Sequence, residues 1–146
     1  MNILVSACLL GRACRYDGKS KPCKAVIALS KKHNLIPVCP EMDGGLCCPR
    51  TPCERVGERV VSKNGEDKTA EYKKGAQIAL ETAKKHGCKF AIMKAKSPAC
   101  SSSEIYDGAF TGTLIKGNGV AADLLIKNGV TVLTEDMIEH LPEEEI

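Results

Sequence analysis

The chain of 146 residues has no tryptophan, and two phenylalanines and three tyrosines are all of its aromatic residues. So few rings count against a nucleic-acid module that reads several bases by stacking them on aromatic side chains. Charge of one sign is also in short supply. The formal net charge is +3 at pH 7, which admits an anionic ligand but does not suggest a protein that coats DNA. The lysines come mostly in pairs, such as Lys31-Lys32, Lys73-Lys74 and Lys84-Lys85, the pattern of solvated helix faces. No apolar run approaches the ~20 residues of a membrane span. The opening "MNILVSACLLGRACRYDG" has a short apolar run without a basic region before it, and Gly11, Arg12 and Arg15 interrupt it early. It reads as a first strand, not a signal peptide. No membrane partner and a cytoplasmic location are therefore expected.

Cysteine, by contrast, is plentiful: the chain has nine. In a reducing compartment an odd number of cysteines is not a disulfide framework. No C-x2-C or C-x2-H pair is present, and the three histidines are scattered at His33, His86 and His140, so the usual spacing of zinc ligands is missing. Metal, cluster or thiol chemistry is the leading class. The apolar fraction of 43% is that of a globular chain.

The order of elements predicts the fold. "NILVSA" (Asn2–Ala7) has the continuous apolar character of a strand buried on both faces. A helix is expected over Cys23–Asn34, and a strand over Leu35–Cys39. Asn64-Gly65 signals a hairpin. Thr69 is the expected N-cap of a long helix over Ala70–His86, with Gly87 just past its end. "KFAIMKA" (Lys89–Ala95) reads as a third strand, "GNGVAADLLIKNG" as a helix closed by Asn128-Gly129, and Val130–Glu135 as a fourth strand. A short acidic helix over Asp136–Leu141 ends the pattern. The expectation is one α/β domain over 1–146, a small parallel sheet with helices on both faces (Rossmann-like or flavodoxin-like) and a small hairpin insertion.

This layout places Cys8, Cys39 and Cys100 just after, or at the end of, the first three strands. In a parallel sheet those ends share one edge, where open α/β folds bind ligands. Three cysteines distant in sequence are thus expected to converge. Cys14, Cys23, Cys47, Cys48, Cys53 and Cys88 show no such common placement, and Cys88 reads as packing. Thiolates from separate loops suit an iron–sulfur cluster at least as well as one ion, because the cluster is larger. Three thiolates on a cubane leave one iron without a protein ligand, open to a soft donor such as sulfur.

The motifs "VSACLLG", "RYDG", "VCPEMDGGLCCPR", "KSPAC" with "IYDGAF", and "GNGVAA" follow in an order that resembles the thiouracil desulfidase (TudS-like) family, over nearly the whole chain. The resemblance implies a Rossmann-like domain holding a [4Fe-4S] cluster through Cys8, Cys39 and Cys100, with one iron not ligated by protein. It further implies an enzyme that removes sulfur from thiolated uracil without net redox change, water replacing the sulfur. On the matching positions Glu41, two residues from Cys39, is the expected general base. Ser97, before Pro98, is expected to hydrogen-bond substrate or intermediate. Gly44, Gly45, Arg50, Lys94 and Tyr106 form a weaker group of expected substrate contacts. The partner would be a small thiolated pyrimidine, with thiolated tRNA fitting less well. Two alternatives stay open. One is a cysteine persulfide sulfur carrier, motivated by Cys47 and Cys48; the other is a non-catalytic metal- or redox-sensing module.

Overall fold

The computed structural model of the protein describes residues 1–142; residues 143–146 of the expected domain lie outside the described residues. In chain order the elements are β1 (Asn2–Ser6), α1 (Lys24–Ala28), β2 (Asn34–Val38), α2 (Pro40–Asp43), β3 (Cys53–Val56), β4 (Arg59–Ser62), α3 (Thr69–Lys85), β5 (Phe90–Met93), β6 (Glu104–Tyr106), β7 (Leu114–Lys116), α4 (Val120–Lys127) and β8 (Thr131–Thr134). Short 3-10 segments cover Ala7–Leu10, Leu29–Lys31 and Glu135–His140.

Four strands form one sheet in the order β2-β1-β5-β8, with every pair parallel. Its alternation assigns the two faces. Leu4, Ala91 and Met93 pack with α3 and α4, whereas Ile3, Val5 and Ile92 pack with Val26 of α1 and partly buried residues of the C-terminal 3-10 segment. Helices therefore cover both faces, and β1 and β5 are buried on both, as their apolar runs require. β2 lies at an edge, where Pro37 can lack an N–H without breaking a central ladder. The chain leaves β1 toward α1 on one face and leaves β5 toward α4 on the other. The crevice beyond the ends of β1 and β5 is thus a topological switch point.

Several expected boundaries move. The first helix is only one α-helical stretch followed by a 3-10 turn, because Asn34 already pairs with Asn2 as the first residue of β2. Thr69 does not cap α3 from outside. It is the first helical residue, and its hydroxyl instead accepts the Val60 N–H at 2.9 Å, tying the helix to β4. The inserted hairpin turns at Gly57-Glu58, between β3 and β4; Asn64-Gly65 makes the next turn, closed by the Gly65 N–H to the Ser62 carbonyl. A second antiparallel hairpin, β6-β7, was not anticipated because its strands are only three residues long.

Candidate active site

Each of the three expected ligand cysteines is held by its own local device. Cys8 sits in the 3-10 turn after β1, and its carbonyl accepts the N–H groups of Gly11 and Lys21. Cys39 precedes α2, with its N–H on Asp43 Oδ2 at 3.2 Å. The adjoining Pro40 carbonyl lies so close to α3 that a Cβ on Gly75 would collide with it, which explains a glycine inside that helix. Cys100 donates its N–H to Ser97 Oγ at 3.0 Å, and Ala99 donates to the same oxygen at 3.2 Å. The carbonyls of Pro98, Ala99 and Ser101 receive N–H groups from Gly119 to Ala122, at the start of α4. That helix end and the Cys100 loop therefore satisfy each other.

All three cysteines are buried and line one cavity of about 400 Å³ at the switch point. Cys14 joins them: the Cys39 thiol donates to its carbonyl at 3.8 Å, and its own thiol interacts with those of Cys8 and Cys39. Cys14 lies in a loop that leaves β1 and returns, so its distance from a strand end gives no sign of this placement. Burial pushes the Cys100 thiol up to about 12, against the hydroxyls of Ser6 and Ser97. The Cys14 contact and burial raise Cys39 far above the ordinary thiol value. For Cys14 the Cys39 contact lowers the value, but the Cys8 contact and burial outweigh it and bring it to about 11.

Among the described residues no three His, Cys, Asp or Glu side chains meet at a centre for a single metal ion. Buried thiols spread over one cavity wall suit a larger thiophilic group, a multi-iron cluster, which would take their protons' place. Cys8, Cys39 and Cys100 are the residues that could hold it.

Beside the thiols stands a clamped carboxylate. Arg50 contacts Glu41 Oε2 through Nε at 2.8 Å and Nη2 at 2.6 Å, and Nη2 also donates to the Cys14 carbonyl at 2.9 Å. Burial alone would weaken the Arg50 charge, but Glu41 more than offsets this and its pKa is raised. Ser97 Oγ donates to Glu41 Oε1 at 3.4 Å. The structure thus brings Cys8, Cys39, Cys100, Glu41, Ser97 and Arg50 to one cavity.

The weaker group divides. Lys94 and Tyr106 line the cavity, but the Lys94 ammonium is held by Glu135 Oε2 at 2.9 Å. Gly44 and Gly45 do not belong to the cavity lining. Gly44 presses on the Glu71 carbonyl of α3, and Gly45 takes a left-handed conformation with φ +104°. Of the cysteines behind the carrier reading, Cys47 is exposed outside the main cavity, and Cys48 donates to the carbonyls of Ala13 and Arg15. Cys88 is buried in the core under α3 and α4.

A parallel α/β sheet with buried thiols and a clamped carboxylate at its switch point defines the class of protein. The chain belongs to the 2-thiouracil desulfurase family, whose profile matches residues 3–137. It is 36% identical over 149 residues to YbbK, an uncharacterized protein of Bacillus subtilis (strain 168), a match covering 95% of this chain and 99% of that one. It is also similar to the solved structure of TudS, a [4Fe-4S]-dependent thiouracil desulfidase. That match has a TM-score of 0.91 and 44% sequence identity, over 96% of this chain and 94% of that chain. The resemblance read from the motifs and the expected α/β architecture are both borne out.

Proposed function

We propose that this protein is an iron–sulfur-dependent thiouracil desulfidase that converts the C=S group of a small thiolated uracil to C=O, with water as co-substrate and sulfide as product. The observation that carries this reading is the convergence of Cys8, Cys39 and Cys100 with the Glu41–Arg50 pair on one cavity. When bound through those cysteines, a [4Fe-4S] cluster with one iron not ligated by protein supplies a Lewis acid for the thiocarbonyl sulfur. Glu41 acts as general base. Its Oε2 is fixed by Arg50, which leaves Oε1 to take a proton from the attacking water. Ser97 supports that oxygen while its own Oγ holds the Cys100 backbone. Cavity size favours a free base or nucleoside over thiolated tRNA. No helix of the described residues is long and apolar enough to cross a membrane; a cytoplasmic location is part of the proposal, supported by nine free thiols.

The test is anaerobic reconstitution with iron and sulfide, followed by visible absorbance and sulfide release from 4-thiouracil. Wild type and Cys88→Ala should gain the cluster chromophore, and Cys8→Ala, Cys39→Ala and Cys100→Ala should not. A wild-type protein that takes up no iron would sink the cluster reading and bring the persulfide carrier forward.

A further inference from the structure

Aromatic residues are scarce in this chain, yet Tyr16, Tyr72, Tyr106 and Phe110, four of its five, line the one cavity that holds the thiols. They are not equally available to a ligand. Tyr72 is buried at 2% exposure and in contact with the Cys53 thiol through its hydroxyl. Tyr16 is exposed, with the Arg15 guanidinium 5.8 Å from its ring centre. Phe110 is half-buried, and its backbone has φ +57°. A bulky side chain seldom adopts that left-handed conformation, and where it persists the surroundings must enforce it.

The enforcing group is Glu54. This strand β3 carboxylate is only 9% exposed, and its Oε1 accepts two backbone N–H groups, from Gly108 at 2.9 Å and Phe110 at 3.1 Å. The same loop, between β6 and β7, is tightened by Asp107, whose Oδ1 accepts the Ala109 N–H at 2.9 Å. It is pressed against β3, so that a Cβ on Gly108 would collide with Val56. Among the described residues no cation forms an ion pair with Glu54. A buried carboxylate is costly unless it is hydrogen-bonded, and this one is satisfied by the two amides that set the Phe110 backbone.

We propose that Phe110 is the wall on which the pyrimidine ring stacks, and that Glu54 is a positioning residue that holds it there. The inference deepens the desulfidase reading and rests on it for the nature of the ring. Stacking of a base on an aromatic side chain is worth ~1–3 kcal/mol by substitution, so loss of the ring should weaken binding about five- to 150-fold.

The test uses reconstituted protein and measures uracil binding by equilibrium dialysis, alongside KM, kcat and Tm. Asn tolerates the left-handed region, so Phe110→Asn removes the ring and relieves the backbone together. Uracil affinity should fall about fivefold or more and KM should rise, with Tm unchanged or higher and the cluster absorbance retained. Phe110→Tyr should restore most of the affinity. Glu54→Gln, which still accepts both N–H groups, should bind better than Glu54→Ala. Wild-type affinity in Phe110→Asn, or equal loss in Phe110→Tyr, overturns the proposal, as does a wild type that binds no uracil. Uracil binding that depends on the ring, in a protein that releases no sulfide, sustains the stacking wall and refutes the desulfidase reading instead.

Discussion

At the scale of single residues, the candidate site is a set of polar groups held in place by one another. Glu41 shows this best: Oε2 carries two contacts from Arg50 and Oε1 a single long one from Ser97. The arrangement predicts that Glu41→Gln keeps the cluster chromophore while kcat for sulfide release falls about 10²- to 10⁴-fold, the usual worth of a general base. Activity within twofold of wild type in the loaded variant would remove Glu41 from proton transfer. Cys8, Cys39 and Cys100 were legible in the sequence because each follows a strand end, whereas Glu41 and Ser97 were legible only through the family motifs that contain them. Cys14 and Glu54 were not. Cys14 reaches the thiols only because its loop folds back over Cys8, and Glu54 meets its amides across a hairpin whose partner lies more than fifty positions away.

At the scale of elements, the seam between α2 and α3 holds one wall of the site in place. Gly75 is poor for a helix interior by propensity, and only the Pro40 carbonyl pressed against it accounts for the residue. Gly75→Ala should therefore destabilise the protein by about 1–3 kcal/mol, the cost of overpacking, measured as a lower urea midpoint with unchanged m. Because Pro40 follows Cys39, the same variant should lose iron faster on exposure to a chelator. A midpoint equal to wild type would show that the seam relaxes without cost. The parallel strands could be read from apolar runs alone, since a strand buried on both faces has no polar alternation. The two hairpins are harder. Asn64-Gly65 is a sound turn signal, but the preceding Gly57-Glu58 joins the longer pair, and β6-β7 is too short to leave a periodic trace.

At the scale of the whole molecule, burial of several thiols at one crevice couples stability to pH and to metal. In the metal-free protein burial and the neighbouring thiols push Cys14 up to about 11, and burial pushes Cys100 up to about 12, both above the ordinary 9.0. The folded state thus holds protons that the unfolded chain releases. Their contribution is complete below pH 9.0 and erodes as the pH climbs through 11 toward 12. Under anaerobic reducing conditions the urea midpoint of metal-free wild type should fall across that range, and less steeply in Cys100→Ala. Parallel slopes for the two proteins would show that the Cys100 thiol is not held neutral by the fold. The α/β class, the strand ends that carry Cys8, Cys39 and Cys100, and the family motifs are all readable from the chain, because they depend on local apolar runs and on residues adjoining them. That Cys14 joins the thiols, that Gly44 serves helix packing, and that four of the chain's few aromatic rings gather at one cavity emerges only on folding. Those outcomes depend on loops and hairpins meeting across the sheet edge, a geometry set by contacts between distant residues.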